Sequence, residues 1–372
     1  MNPLPFIINS AILLSLATCR HPLPTVVPDN MMNRIYEKIK TPFKFGLIMV
    51  PDSNSCKMDC PTVFRKDNKW FMTYIVFDGR GYETWLAESV NLVDWNIKGK
   101  ILLFSDSLDW DSNQKAGYPS LIGYEWEGDY ALHPHDGKYW MSYFGGNSLG
   151  YEHGLLSIGM AFTGKDPDKV HEWQRLQKPV IRPDDPDARW YDNGTIYKSS
   201  VINDEKKITG YPFVMVYNAR GDSINPGKGA ERISMAVSKD MVNWERFGNE
   251  PLINHHTGIC GDAVVQKIGD VFVMFYFRAW WTDQYATAFN RFACSYDLVH
   301  WTDWRGPNLI EPSEAYDDLF AHKSCVLKHD GIVYHFYNAV DKKGNRGIAL
   351  ATSKDIGKSS IKFKSGERSE IK

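Results

Sequence analysis

The heptapeptide Ser238-Lys-Asp-Met-Val-Asn-Trp244 decides the fold, because the chain repeats its pattern at 89–95 and 295–301. Each copy begins with serine, carries Asp or Asn two residues later and ends in tryptophan. A serine or threonine marks the same point of five segments, at Ser89, Thr163, Ser238, Ser295 and Ser353. Successive marks are 74, 75, 57 and 58 residues apart. Recurrence at this spacing indicates a protein made of repeated structural units.

Every unit contains several short β-rich runs. An apolar run precedes each mark, and an aromatic run precedes that one, at 70–74, 139–143, 213–217, 272–276 and 333–337. A shorter run stands earlier in each unit, and a tryptophan-bearing segment follows each of the first four marks. The pattern predicts an all-β fold, a five-bladed β-propeller whose four-stranded antiparallel blades surround a central funnel. In this interpretation the repeated heptapeptide is a turn whose tryptophan packs between blades.

Composition narrows the class of protein. Hydrophobic residues make up 43% of the 372 residues and charged residues 24%, which predicts a large buried core rather than disorder. The formal net charge of −2 gives no basic field, so nucleic acid is not expected as a partner. The aromatic share of 14% favours strands and supplies flat faces on which sugar rings stack.

The first residues are typical of an export signal. The apolar run 6–17 is too short to span a bilayer and leads to Cys19. It resembles a bacterial lipoprotein signal, which implies lipidation of Cys19 and a place in the periplasm or at the cell surface, with the lipid as the only membrane contact. We predict a signal peptide at 1–19, an N-terminal segment at 20–54, the propeller domain at 55–360 and a polar tail at 361–372. The five other cysteines are an odd number, so a full disulfide framework is not expected, and pairing of Cys56 with Cys60 stays open.

Candidate site residues follow from the inner strands, because the first strand of each propeller blade faces the funnel. We align the five strand starts on their first apolar residue, which is Val63, Leu121, Ile196, Val265 or Val326. Four residues earlier stand Asp59, Gly117, Asp192, Gly261 and His322, and Asp262 lies one step off this register. Unpaired charges at inner positions are costly unless a ligand compensates them. The predicted catalytic residues are therefore Asp59, Asp192, Asp262 and His322.

A second set of residues is predicted to bind substrate. Arg80, Arg220 and Arg278 each follow the second strand of a unit, so they are expected to form a cationic wall suited to sugar hydroxyls or an acidic sugar. A salt-bridge girdle between blades is the alternative for these arginines. The other predicted binding residues are Tyr118, Glu231, Trp280 and Trp281.

At this point the sequence resembles the glycoside hydrolase families 43 and 117 and the related families 32 and 62. The residues that carry the resemblance are the heptapeptide at 238–244 and Lys69-Trp-Phe-Met-Thr-Tyr74, and it extends from about 55 to 355. It implies an exported glycosidase that cleaves a terminal sugar from a plant- or algal-type oligosaccharide or polysaccharide. The family 43 pattern implies an aspartate base in blade one, which Asp59 matches, but it also implies an aspartate where this chain has Gly117 and a glutamate where it has Asp192.

The family 117 pattern implies an aspartate base, a second aspartate and a late histidine acid, which Asp59, Asp262 and His322 match. Inverting hydrolysis needs one group to protonate the leaving oxygen and another to activate water. We predict Asp59 as the base and leave the acid open, with His322 as one candidate because an unperturbed imidazole pKa near 6.5 suits proton donation. Asp192 and Glu231 are alternative acids, and Asp262 orients the partner. Asp59 as a turn cap and Glu231 as an ion-pair partner of Arg232 are the structural alternatives.

Two other functions stay open. The first is a phosphorylase resembling family 130, in which Lys323, Arg278 and His322 hold phosphate. The second is a non-catalytic glycan-binding propeller. No cofactor is required by any of these hypotheses, although a structural cation on the propeller axis near His322 is an alternative role for that histidine. The sequence predicts no oligomeric state.

Overall fold

The computed structural model describes residues 23–106, 108–221, 230–281 and 286–364, and it is all-β apart from one short helix, α1 (Asp29–Ile39). Within these ranges no helix combines the length and the apolar character needed to cross a membrane. The predicted signal peptide and its Cys19 lie outside the described residues. Helix α1 buries Met32, Ile35 and Ile39 against the sheet surface, and Tyr36 stacks on Trp304 with 5.0 Å between the ring centroids.

The strands of the described ranges pair into antiparallel groups of four. Group one contains β2 (Lys57–Lys66), β3 (Lys69–Phe77), β4 (Tyr82–Ser89) and β5 (Asn96–Leu102). Group two contains β6 (Gln114–Pro119), β7 (Tyr139–Gly146), β8 (Ser157–Thr163) and β9 (Gln174–Arg175). Group three contains β10 (Thr195–Asn203), β11 (Phe213–Arg220), β12 (Arg232–Ser238) and β13 (Trp244–Arg246). Group four contains β14 (Ile259–Ile268), β15 (Val271–Trp281), β16 (Ala286–Ser295) and β17 (Thr302–Asp303). Group five contains β18 (Phe320–His329), β19 (Ile332–Val340), β20 (Arg346–Thr352) and β1 (Phe43–Met49).

The last group takes its fourth strand from the other end of the chain. Strand β1 pairs with β20 in antiparallel register, with Leu47 opposite Ala349. The sequence predicts a separate N-terminal segment at 20–54 and shows no fourth run after Ser353. The structure accounts for both observations, because the early strand occupies the place that a later one would fill.

The repeated heptapeptide is a turn, as predicted. The Ser238 hydroxyl accepts a hydrogen bond from the Met241 backbone N–H at 3.0 Å, and the Trp244 indole N–H donates to the Met241 carbonyl at 3.0 Å. Met241 has a φ of 65°, and the equivalent Leu92 and Leu298 have nearly the same φ, 67° and 66°. In group one the turn tryptophan, Trp95, meets the edge of Phe336 in β19, which joins two groups.

The first strands of the five groups are neighbours in space: β2 contacts β18, β18 contacts β14, β14 contacts β10, and β10 contacts β6. Four of them carry a β-bulge, between Asp59 and Thr62 in β2, and between the pairs 196/199, 261/264 and 322/325 in the others. A bulge re-aims side chains at a ligand site. Cys60, Asp262 and Lys323 occupy equivalent places in three bulges, with φ of 53°, 55° and 62°.

Candidate active site

A cavity of about 400 Å³ opens at the bulged ends of the inner strands. Its lining is unusually rich in charge for a pocket whose walls are otherwise aromatic. The positively charged residues of the lining are Lys57, Lys198, Arg220, Lys323 and Arg346. The carboxylates are Glu152, Glu231 and Asp262, and the aromatic rings come from Tyr118, Phe144, Tyr151, Tyr197, Phe277 and Phe320. All five strand groups or the loops that join them contribute, which is the distribution expected of a ligand site.

Glu152 and Glu231 give the cavity two carboxyl groups with perturbed acidity. Burial raises the pKa of Glu231 to about 8, and the negative charge of Glu152 acts in the same direction. Burial also raises the pKa of Glu152, although Lys323 and Arg346 oppose that shift. A carboxyl group that keeps its proton at neutral pH beside a second carboxyl group is typical of acid/base sites. With a pKa of about 8, Glu231 is protonated at neutral pH.

Asp59 lies behind the cavity wall. Its fully buried carboxylate accepts a hydrogen bond from Arg346 at 2.5 Å and forms an ion pair with Lys323 at 3.1 Å. Burial alone would raise the pKa of Asp59, but the two cations hold that pKa well below its usual range. Arg346 also donates to the Tyr151 hydroxyl at 2.8 Å, beside Glu152. The geometry makes Asp59 an anchor for the cavity's cations and does not favour its predicted role as a base that contacts substrate.

Asp262 lines the cavity and is held rigidly. The Asn218 side-chain amide donates to its Oδ1 at 2.8 Å, and the oxygen of the same amide accepts from its backbone N–H at 2.7 Å. The Cys60 thiol donates to its Oδ2 at 3.2 Å, and the ammonium groups of Lys198 and Lys323 each lie 4.0 Å from that oxygen. This geometry agrees with the orienting role predicted for Asp262. Cys60 is a free thiol, as is Cys56, so these two cysteines do not pair.

His322 lines the cavity, but its protonation differs from the expectation. Burial lowers its pKa well below 6.5, and the positive charges of Lys323 and Arg346 lower it further. The imidazole packs edge-on against Phe277, with 5.2 Å between the centroids. A neutral imidazole does not supply a proton at neutral pH, so the predicted acid role rested on an unperturbed pKa that the site does not allow.

Comparison with known proteins identifies the class of this site. Two solved structures match over 92% of this chain and 100% of their own, each with a TM-score of 0.88. One is named as a complex of BT0996 with RGII and is 50% identical, and the other is named Glycoside hydrolase and is 48% identical. The chain is a glycoside hydrolase.

More distant relatives of this glycoside hydrolase share its fold. A thermostable family-43 glycoside hydrolase is 16% identical and matches over 87% of this chain and 98% of its own, with a TM-score of 0.59. No family model matches the chain, and no curated protein sequence matches it. The resemblance to propeller glycoside hydrolases that the sequence indicated is confirmed, and so is glycosidase activity in place of a purely binding role.

Asp192 does not belong to the active site of the glycoside hydrolase. Its fully buried carboxylate accepts hydrogen bonds from Arg246 and from the Tyr217 hydroxyl, both at 2.7 Å. The alignment failed here because it matched Ile196 to Val63, whereas the bulge in β10 places Tyr197 and Lys198 at the cavity. Asp192 therefore precedes the inner bulge and anchors a buried ion pair.

The predicted arginine wall is also corrected. Among the described residues only Arg220 of the three lines the cavity. Arg80 donates to Asn113 at 2.7 Å on a partly exposed surface, and Arg278 lies over the Trp280 ring at 4.4 Å, away from the cavity. In β15 it is Phe277 that points inward, and the next residue of a strand points to the other face. The Trp281 side chain lies outside the part of the chain that the structure describes.

Sequence reasoning missed several cavity residues of the glycoside hydrolase, namely Glu152, Lys57, Lys198, Tyr151 and Arg346. Glu152 lies in the loop after β7, with a left-handed φ of 49°, so no strand register pointed to it. Lys198 and Arg346 were detectable in principle as charged residues inside β-rich runs.

No group of three His, Cys, Asp or Glu side chains in the described ranges is arranged to hold a metal ion. The structural cation near His322 stays a prediction, which the adjacent positive charges of Lys323 and Arg346 disfavour.

Proposed function

We propose that this glycoside hydrolase cleaves a terminal sugar with Glu231 as general acid and Glu152 as the second carboxylate. The observation that carries the proposal is the raised pKa of Glu231, about 8, inside the charged cavity. A general acid must hold its proton at the working pH, and its partner must be ionised to activate water or attack the sugar. Arg346, which donates a hydrogen bond to the Tyr151 hydroxyl, then helps to position the adjacent Glu152.

We further propose that the five antiparallel groups are the blades of a propeller and that the cavity is its central funnel. The adjacency of the first strands β2, β18, β14, β10 and β6 supports this arrangement. The bulges at equivalent places in four of these strands support it as well.

The floor of the cavity favours attack at the end of a sugar polymer. Tyr118 and Lys198 line the large cavity and also line a smaller one of about 50 Å³ that lies beyond them. We infer that these two side chains form a floor between the cavities, which closes the larger one. A sugar polymer can enter such a pocket only by its end, whereas cleavage at internal linkages needs an open groove.

The substrate that we propose is an oligosaccharide derived from RGII, the glycan for which the 50% identical structure is named. The aromatic and charged lining suits a polar sugar, because rings stack on its apolar faces while charged groups bind its hydroxyls. The test is a screen of the purified protein against RGII-derived and other plant and algal oligosaccharides. Release of a terminal monosaccharide supports the proposal, and release of internal fragments, or strict dependence on added phosphate, contradicts it.

The stereochemical outcome expected from the sequence is inversion at the anomeric carbon. Proton NMR of the first-formed product distinguishes the two outcomes before the anomers interconvert. Export to the periplasm or cell surface, with a lipid on Cys19, is likewise proposed on the sequence of the segment 6–19 alone.

The pH profile of kcat/KM tests the assignment of the acid. Below about pH 8 Glu231 is protonated, so activity should be retained there and should fall as the pH rises through 8. Because the pKa of Glu152 is also raised, the midpoint of the activity loss at low pH should lie above the pKa of about 4.3 that is usual for glutamate. If kcat/KM instead falls with rising pH and the midpoint of that fall lies below pH 6.5, the result favours His322 as the acid, because the pKa of that imidazole is lowered.

A further inference from the structure

Lys198 is a buried lysine that the catalytic assignment does not use. Its side chain is 3% exposed, it sits in the β10 bulge, and its ammonium lies 5.1 Å from the Tyr118 ring centroid. Among the described residues its Nζ donates no hydrogen bond, and its closest anionic group is Asp262, whose Oδ2 is 4.0 Å away. An ammonium has three N–H donors, and in the described part of the protein all three lack an acceptor.

A lysine buried in this way destabilises the protein when no ligand is bound. A buried charge without hydrogen-bond partners is destabilising, and the carboxylate at 4.0 Å and the Tyr118 ring compensate only in part. A purely structural residue at this place would be apolar or would have an acceptor. The contrast is Lys115, another buried lysine, whose Nζ donates to the Leu103 carbonyl at 2.6 Å and to the Ser105 hydroxyl at 3.3 Å.

We propose that Lys198 recognises hydroxyl groups of the terminal sugar and so determines which sugar the enzyme accepts. The ammonium lines the floor of the cavity, where the end of an entering oligosaccharide must stop. Asp262, fixed by Asn218, attracts the ammonium from one side at 4.0 Å and leaves its three donors for ligand oxygens. This inference rests on the proposed function, because it requires a terminal sugar in the cavity.

Neutral hydroxyls fit this place better than a carboxylate. A sugar carboxylate bound to Lys198 would also approach the carboxylate of Asp262, which lies 4.0 Å from the ammonium. Like charges that lie close together in a poorly solvated site repel each other strongly. A hydroxyl oxygen accepts from the ammonium without that repulsion and can donate its own proton to Asp262.

The test compares Lys198→Met with the wild-type enzyme by calorimetric titration of the free monosaccharide that the wild-type enzyme releases. Loss of hydrogen bonds from a charged donor should weaken binding by about 10- to 100-fold and raise KM by a similar factor. Thermal stability should stay the same or rise, because an unpaired buried charge has been removed. Lys198→Gln, which keeps a donor without the charge, serves if the Met variant does not fold and should be intermediate.

Monodeoxy analogues of the same sugar give a readout that a structural role would not change. The analogue that lacks the contacted hydroxyl should bind weakly to the wild-type enzyme. Its affinity should not fall further in Lys198→Met, because the hydrogen bond is already missing.

The control variant Lys115→Met should lose thermal stability and keep its affinity for the sugar. Unchanged sugar affinity in Lys198→Met overturns the inference, as does tighter wild-type binding of the corresponding uronic acid. Glu231→Gln separates the two hypotheses, because it loses activity if the proposed catalytic pair is right even when Lys198 proves dispensable.

Discussion

Glu231→Gln should lower kcat on an unactivated oligosaccharide by about 10²- to 10⁴-fold. The amide keeps the shape of the side chain but has no acidic proton to give to the leaving oxygen. Because a nitrophenolate departs without protonation, the same variant should lose much less activity on a nitrophenyl glycoside of the same sugar. Steady-state kinetics on both substrates measure the difference.

Glu152→Gln is the matched control for this prediction. The second carboxylate acts on the sugar carbon or on water rather than on the leaving group, so its loss should impair both substrates alike. Nearly wild-type hydrolysis of the oligosaccharide by Glu231→Gln would refute the assignment of the acid, and the acid role would then pass to another residue of the cavity.

Asp192→Ala should cost about 1 to 3 kcal/mol of unfolding free energy, because the buried Arg246 Nε and the Tyr217 hydroxyl lose their common acceptor. Asp185 and Asp187 still pair with Arg246 in this variant. The Arg246 side chain is 2% exposed, and its Nε donates to Asp192 at 2.7 Å. Urea denaturation followed by intrinsic fluorescence measures the loss. The folded fraction should keep its kcat/KM, because Asp192 lies outside the cavity.

A double variant measures the interaction between Asp192 and Arg246. Asp192→Ala combined with Arg246→Met should lose less stability than the sum of the two single variants, since both remove the same hydrogen bond. A large loss of kcat/KM at unchanged stability would contradict the structural role and restore Asp192 to the active site.

The fold was predictable because it repeats. Five copies of one strand pattern report the same geometry, and the turn at Ser238 uses local hydrogen bonds that depend only on neighbouring residues. Local chemistry of this kind can be recognised in the sequence. The N-terminal strand β1 was not predicted, because its partner β20 is distant in sequence and no local sequence pattern indicates the pairing.

The site was only partly predictable, for two physical reasons. Val63, Val265 and Val326 follow the bulges of their strands, whereas Ile196 precedes the bulge of β10. Aligning on these residues therefore placed Asp262 correctly beside the cavity and Asp192 incorrectly. The acidity of each group depends on its surroundings, which the sequence does not show. His322 therefore looked like the better acid, although burial lowers its pKa and raises that of Glu231 to about 8.

The pairing of β1 with β20 also fixes when the protein can finish folding. Strand β1 is synthesised long before β20, with which it pairs in the register Leu47–Ala349. A contact between such distant segments forms slowly and only after β20 has been synthesised. Until then one edge of β1 has no partner strand, and the pairing with β20 completes group five.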